Sequence, residues 1–138
     1  MKYDVFISHA TKDKAKYGYK LAEEIEKTGL TVFYDSDSIA WGDSISEKVE
    51  EGLKNCKRAV VVISKNYFGR SWTEHELRTL LDRQDSEGEK IIMPILHRVT
   101  KKELLKHYPE LSDVLFKYSK KISCEKLAQL LVEDIKNH

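Results

Sequence analysis

The segment Ala59–Ile63 (AVVVI) constrains the fold more than any other stretch of this sequence. It is almost uniformly aliphatic, which is typical of a central strand that is covered on both faces of a parallel sheet. Four further runs predict strands, the last of them weakly: Tyr3–Ile7, Leu30–Tyr34, Lys90–Leu96 and Phe116–Ser119. The sequence therefore predicts a sheet of five strands.

Apolar residues at helical spacing separate these runs. The first helix carries Leu21 and Ile25 on one face, and Gly29 is placed to end it. Further helices are predicted around Val49 and Leu53, around Leu77 and Leu80, over Lys101–His107, and from Leu127 to Ile135. Alternating strands and helices indicate a parallel sheet with right-handed crossovers. The predicted fold class is α/β, a flavodoxin-like three-layer sandwich with strand order 2-1-3-4-5 and helices on both faces.

Length, charge and cysteine content exclude several classes of protein. The chain has 138 residues, and we expect residues 1–138 to form a single domain. The net charge of +1 favours neither nucleic acid nor an anionic membrane as a partner. No apolar run is long enough to span a bilayer, and no signal peptide is visible. Cys56 and Cys124 have neither metal-ligand spacing nor the number for a disulfide framework, so we expect a cytoplasmic domain without a structural metal.

The predicted strand order also predicts where a ligand would bind. Ligands of open α/β sheets bind at the carboxyl ends of the strands, beside the point where the strand order changes direction. In this chain that point lies between strands one and three, so the loops Ser8–Asp13 and Ser64–Ser71 should meet there. The second loop leads directly into Ser71–Leu77 (SWTEHEL), which holds two glutamates.

The first of the two glutamates has a structural explanation. Ser71 and Glu74 fit the capping box S-x-x-E, in which the serine oxygen and the glutamate each satisfy a free backbone amide at the start of a helix. The same spacing occurs at Ser44 with Glu47 and at Thr100 with Glu103. We therefore interpret Glu74 as a capping residue.

The second glutamate has two interpretations. Glu76 follows Trp72 by four residues, so both side chains lie on one helix face, at the edge of an apolar stripe. A carboxylate in that position is either a solvated boundary residue or part of a site. His75, between the two acids, is expected to be exposed. His9, in the loop at the switch point, is either a loop hydrogen-bonding residue or part of a site.

Missing motifs argue against several nucleotide-binding and catalytic sites. The sequence contains neither G-x-G-x-x-G nor G-x-x-x-x-G-K-[ST], so neither a Rossmann dinucleotide site nor a P-loop is supported. A phosphoacceptor receiver domain would need an acidic cluster where this chain has Ile7-Ser8-His9-Ala10. The next residues, ATKDK, lack the glycine- and hydroxyl-rich pattern of a flavin phosphate loop. The sequence also shows no Ser-His-Asp arrangement that would indicate a catalytic histidine.

Three motifs, in this order and at these separations, resemble one family. Tyr3–Asp13 (YDVFISHATKD) looks like a first box, and Tyr34–Ser64 resembles a second strand, a BB loop, a second helix and a third strand. Ser64–Leu77 (SKNYFGRSWTEHEL) resembles S-x-x-Y…S-x-W-x-x-x-E-L. Together they resemble the TIR (Toll/interleukin-1 receptor homology) domain, in its bacterial NAD⁺-cleaving branch. The likeness is strong as far as strand four and loose beyond it.

The resemblance implies an enzyme that cleaves the nicotinamide–ribose bond of NAD⁺ and forms ADP-ribose or a cyclic isomer. It implies Glu76 as the catalytic residue, NAD⁺ as the substrate, and no cofactor or metal. Residues implied to bind the substrate are His9, Ala10, Thr11, Asp35, Ala40, Gly42, Ser44 and Trp72. Trp72 has a rival role as a core anchor. Thr73 replaces the cysteine common after the tryptophan, and we expect no consequence of that replacement.

The resemblance further implies activation by TIR self-assembly and a role in bacterial immune defence, with a sensor domain or partner protein outside this chain. The loop SDSIAWGDS lacks the Arg-Asp…Pro-Gly pattern of animal adaptor members. Trp41 in that loop is expected to contact a neighbouring subunit or to cover the cleft. The alternative is a non-enzymatic module that signals by homotypic assembly, with Trp41 and the second helix as its docking surface.

Overall fold

The central sheet contains all five predicted strands, paired in parallel. The computed structural model describes residues 3–10, 16–34 and 39–137. The strands are β1 (Tyr3–Ser8), β2 (Val32–Phe33), β3 (Cys56–Ile63), β4 (Ile92–Leu96) and β5 (Lys117–Tyr118). Their order is β2-β1-β3-β4-β5, so the predicted strand order and fold class are confirmed. The edge strands β2 and β5 are shorter than the apolar runs that predicted them.

Helices cover both faces of the sheet. They are α1 (Lys16–Lys27), α2 (Ile45–Asn55), α3 (Ser71–Glu87), α4 (Lys101–His107) and α5 (Cys124–Lys136), with 3₁₀ turns at Lys65–Tyr67 and Pro109–Leu111. Helices α1 and α5 pack on one face, and α2, α3 and α4 pack on the other. No helix of the described part is both long and apolar enough to cross a membrane.

Strand β3 explains why the AVVVI run is aliphatic throughout. Ala59, Val61 and Ile63 point into the core beneath α2 and α3. Val60 and Val62 point into the core beneath α1 and α5. A strand that contributes to both cores has no solvent-facing side, so alternation between polar and apolar residues is absent.

Gly52 lies in the middle of α2 because the helix approaches the sheet closely there. A Cβ at this position would lie 2.9 Å from Cδ2 of Phe6 and 3.2 Å from Cδ2 of Phe33. The two rings are stacked with centroids 5.0 Å apart. The glycine therefore lets α2 pack directly on this aromatic pair, which offsets its poor helix propensity.

Of the three predicted capping boxes, the one at Thr100 is complete, the one at Ser44 shows only the bond to the serine side chain, and the third is wrong. Ser44 accepts a hydrogen bond from the Glu47 amide at 3.3 Å, and Thr100 forms the full reciprocal box with Glu103. Helix α3 instead begins with Ser71 as its first helical residue. The reason is that the Glu74 amide already bonds the Arg70 carbonyl at 2.9 Å, so the helix starts one residue earlier than predicted. The Glu74 carboxylate still serves the helix start, where it accepts a bond from the Gly69 amide at 3.2 Å.

The two cysteines lie in different layers of the fold. Cys56 is buried under α2 and α3, whereas Cys124, the first residue of α5, is buried in the core on the α1 side of the sheet. Both are free thiols. Burial raises the pKa of each thiol, although Arg83 acts in the opposite direction on Cys56.

Candidate active site

A buried carboxylate lies at the predicted switch point. Glu76 is only 2% exposed, although it is an acid on a surface helix. Ser8, the last residue of β1, donates a hydrogen bond from its Oγ to Glu76 Oε1 at 2.7 Å. The interpretation of Glu76 as a solvated boundary residue is therefore wrong, because α3 turns this side chain toward the carboxyl end of β1.

Helix α3 brings Glu76 to the sheet with the same face that fills the core. Its buried residues are Thr73, Glu76, Leu77, Leu80 and Leu81. Trp72 lies outside this set and is 36% exposed. The alternative role of Trp72 as a core anchor is therefore wrong, and a role in binding remains a prediction. His75 is exposed, as expected, and contacts Glu50 of α2.

Tyr67 is linked to the carboxylate through Ser8. It ends the 3₁₀ turn after β3, and its fully buried hydroxyl lies 2.8 Å from Ser8 Oγ. Burial, followed by the negative charge of Glu76, raises the pKa of the Tyr67 phenol well above 10.0. Sequence reasoning identified both loops but assigned no role to Ser8 or Tyr67. The tyrosine of the S-x-x-Y motif was the available signal.

Thr73 has a structural role that the sequence interpretation did not anticipate. Its buried hydroxyl donates to the Tyr67 carbonyl at 2.6 Å and lies 3.2 Å from the Arg70 carbonyl. These contacts join the 3₁₀ turn to the first turn of α3. The replacement of cysteine by threonine therefore adds a tether beside the site.

His9 and Ala10 lie beside Ser8, as predicted, and both are buried. The His9 ring stacks on Tyr34 with centroids 4.9 Å apart. Its Nδ1 lies 3.3 Å from the Ala10 carbonyl oxygen, which can only accept, so this contact is a hydrogen bond when Nδ1 carries the proton. The other ring nitrogen, Nε2, is buried without a hydrogen-bond partner in the described part of the chain.

Ala40, Gly42 and Ser44 lie on an exposed turn that leads into α2. The Asp43 amide donates to the Ala40 carbonyl at 3.0 Å, and Gly42 has φ +94°, as the third residue of a type II turn requires. The Asp43 carboxylate accepts from the Ala40 amide at 3.0 Å. Trp41, at the tip of this turn, is fully exposed. Two of the predicted binding residues, Thr11 and Asp35, lie outside the described residues.

A cavity lined mainly by apolar side chains is separate from this site. It has a volume of about 520 Å³ and lies beneath α5, against Ile95 and Leu131. Its lining includes none of the predicted site residues. Within residues 3–10, 16–34 and 39–137, no three His, Cys, Asp or Glu side chains lie close enough together to hold a metal ion.

The fold and the position of Glu76 define a flavodoxin-like α/β domain with a buried carboxylate at its switch point. Residues 5–131 match the sequence profile of the TIR domain family, and the chain therefore belongs to that family. The TIR domain of the Toll-related receptor TRR-2 from Hydra magnipapillata has the same fold. It superposes with a TM-score of 0.75 at 22% identity, over 99% of this chain and 100% of that one.

Several curated relatives carry enzyme names, among them the following two. The chain is 38% identical over 135 residues to the 2′ cyclic ADP-D-ribose synthase AbTIR of Acinetobacter baumannii, a match that covers 98% of this chain and 50% of the relative. It is 32% identical over 131 residues to the NAD(+) hydrolase TcpC of Escherichia coli, over 95% of this chain and 43% of the relative. The chain thus spans half or less of the length of these two proteins.

Proposed function

We propose that this domain cleaves the nicotinamide–ribose bond of NAD⁺ and releases nicotinamide with ADP-ribose or a cyclic isomer. The observation that carries the proposal is the buried Glu76 carboxylate at the switch point, hydrogen-bonded to Ser8 and four residues after Trp72. AbTIR is named as a synthase of cyclic ADP-ribose and TcpC as an NAD⁺ hydrolase. Both names support cleavage of the nicotinamide–ribose bond.

A single carboxylate is sufficient for this reaction. Glycoside hydrolysis ordinarily takes a second acid to protonate the leaving oxygen. Nicotinamide leaves from a cationic pyridinium as a neutral molecule and needs no proton. The remaining ribosyl cation is stabilised by a preorganised negative charge, which is the role proposed for Glu76. Water then attacks the anomeric carbon to give ADP-ribose, or a hydroxyl of the ADP-ribosyl group attacks to give the cyclic product, and either attack releases a proton.

The proposed binding surface consists of the loop after β1 and the turn before α2. Three groups are assigned to it: His9, Ala10 and Thr11; Asp35, Ala40, Gly42 and Ser44; and Trp72. The buried Nε2 of His9 has no hydrogen-bond partner among the described residues, which supports a polar ligand there, because buried polar atoms are ordinarily hydrogen-bonded. The partly exposed indole of Trp72 supports a stacking role for that side chain.

Self-assembly is part of the proposal. Trp41 is fully exposed, and Ile45 at the start of α2 is also exposed, so this turn presents apolar surface to a second copy of the chain. With Glu76 almost completely buried, movement of the neighbouring loops on assembly would admit the substrate. We further propose a cytoplasmic location, where the free Cys56 and Cys124 would stay reduced, and a role in bacterial defence.

The test compares the two glutamates of one helix turn. Protein at high concentration is incubated with NAD⁺, and nicotinamide and nucleotide products are separated by chromatography and identified by mass spectrometry. Glu76→Gln keeps the shape and can still accept a bond from Ser8, but it loses the charge. We expect it to lower kcat by about 10²–10³-fold. Glu74→Gln is the matched control and should retain the wild-type rate. Equal nicotinamide release by wild type and Glu76→Gln would refute the catalytic assignment.

The alternative is a docking module without turnover, and the exposed Trp41 is the observation that favours it. Trp41→Ser should lower self-association, measured by analytical ultracentrifugation, under either function. In the enzyme it should also shift NAD⁺ cleavage to higher protein concentration. Association without nicotinamide release at any concentration of wild type would leave only the docking function.

A further inference from the structure

Three buried groups form a continuous hydrogen-bond chain that ends on the carboxylate. The Tyr67 hydroxyl lies 2.8 Å from Ser8 Oγ, and Ser8 Oγ lies 2.7 Å from Glu76 Oε1. The chain joins three separate elements, because Ser8 ends β1, Tyr67 lies in the turn after β3, and Glu76 lies on α3. Tyr67 and Ser8 are completely buried.

The direction of this chain follows from counting its hydrogens. A hydroxyl has one hydrogen to donate, and that of Ser8 is donated to the Glu76 carboxylate. The bond between Ser8 and Tyr67 must then be donated by the Tyr67 hydroxyl. The raised pKa of the phenol agrees with this direction, because the phenolic proton is retained. Both hydroxyls therefore point their hydrogens along the chain toward Glu76 Oε1.

The backbone around Tyr67 is held in place as well. The Tyr67 amide donates to the Ser64 carbonyl at 3.0 Å, and the Tyr67 carbonyl accepts from Thr73 at 2.6 Å. Thr73 lies three residues before Glu76 on the same helix. The tyrosine and the carboxylate are thus tied together both through Ser8 and through the backbone of α3.

We propose that Ser8 and Tyr67 are positioning residues that orient the Glu76 carboxylate for the NAD⁺ cleavage proposed above. Ser8 restricts the rotation of the carboxylate, and Tyr67 acts through Ser8 by fixing the direction of its hydrogen. A charged group held in place by donors needs little reorganisation as the ribosyl cation develops. Because neither hydroxyl is assigned a contact with the substrate, their loss should lower kcat and leave KM nearly unchanged.

The experiment measures kcat and KM for NAD⁺ in Tyr67→Phe, Ser8→Ala and the double variant. Each single change removes one oxygen. We expect kcat to fall roughly tenfold in Tyr67→Phe and ten- to hundredfold in Ser8→Ala, as for the loss of a hydrogen bond to a charged group. The Tyr67 change should add less than about twofold once Ser8 is alanine, since the chain is already broken. Tyr108→Phe is the matched control, because that buried hydroxyl lies outside the Tyr67–Ser8–Glu76 chain and interacts with Glu74.

The outcomes separate this inference from the proposed function. If wild type shows no turnover that depends on Glu76, both the proposed function and this positioning role are overturned. Turnover that depends on Glu76 but is unchanged in both single variants overturns the positioning role alone. The positioning role is also overturned if the fold-decreases in kcat of the two single variants multiply in the double variant. Two independent structural losses would combine in that way. Melting temperatures identify any unfolded variant, and the remaining single variant then decides.

Discussion

A three-residue ionic cluster at the amino end of the sheet provides a sharp test of how this fold is held together. Arg58 of β3 donates from Nε to Asp134 Oδ2 of α5 at 2.7 Å, and Lys90 contacts the other oxygen of the same carboxylate. The Arg58 and Asp134 side chains are only 10% and 15% exposed, whereas Lys90 is half-exposed. The change to make is Asp134→Asn.

The expected loss of stability comes mainly from Arg58. Removing one partner of a buried ion pair costs about 3–5 kcal/mol, because the other charge stays buried without compensation. The residual exposure of both side chains lowers this value, and the exposed Lys90 adds less than about 1 kcal/mol. We therefore expect Asp134→Asn to lower the free energy of unfolding by about 2–3 kcal/mol at pH 7.

The loss should depend on pH in a defined direction. Burial alone would raise the pKa of Asp134, but hydrogen bonds from Lys90 and Arg58 outweigh it and hold this pKa below the ordinary 3.8. A carboxyl with a depressed pKa in the folded state stabilises the protein above its unfolded-state pKa. That contribution disappears as the pH falls through the folded-state value. The difference between wild type and Asp134→Asn should therefore shrink as the pH is lowered past 3.8.

Urea unfolding followed by circular dichroism at pH 7, 5 and 3.5 measures this difference. The double variant Arg58→Met with Asp134→Leu is the control, since removal of both charges should restore much of the lost stability. A difference below about 0.5 kcal/mol at pH 7, or one that does not change between pH 5 and pH 3.5, would refute the reasoning.

Three further substitutions test the packing described above. Gly52→Ala should lower the free energy of unfolding by about 1 kcal/mol, because overpacking against Phe6 outweighs the gain in helix propensity; equal or higher stability in urea would contradict this. Arg83→Met should lower the free energy of unfolding by about 2 kcal/mol, since Arg83 donates to the carbonyls of Leu53 at 2.8 Å and Cys56 at 2.6 Å. If Arg83→Lys were as stable as wild type, this bidentate role would be contradicted. Thr73→Val should cost about 2 kcal/mol by leaving the Tyr67 carbonyl without its donor, and a melting temperature equal to that of wild type would be the contrary result.

The strand order was predictable because it depends on local patterns. Five apolar runs separated by helical spacing leave few topologies for a parallel sheet. The first and last residues of the strands at the edges of the sheet were less predictable. The Leu30–Tyr34 run predicts a strand of five residues, but in the described structure β2 comprises Val32 and Phe33, and the Thr31 carbonyl also accepts a bond from the Val5 amide. β1 continues beyond Phe6, the partner of Phe33, to Ile7 and Ser8, and a single run of sequence does not show how far its neighbour follows it.

The burial of Glu76 could not be predicted from its own helix. Its neighbours in SWTEHEL are polar on one side and apolar on the other, so local pattern leaves both a solvated and a buried position open. What decides between them is a hydrogen bond to Ser8, 68 residues away. The helix start at Ser71 was mispredicted for a related reason, since the preceding 3₁₀ turn supplies contacts that a capping motif does not reveal.

The shortness of β2 and β5 has a consequence for how copies of this domain can meet. Within the described part of the chain, each edge strand consists of two residues, a short edge for a neighbouring chain that would extend the sheet by adding a strand. Crowding many copies together would therefore not readily fuse their sheets into a fibril. An ordered array of such domains would then be joined by helices and loop side chains rather than by shared strands.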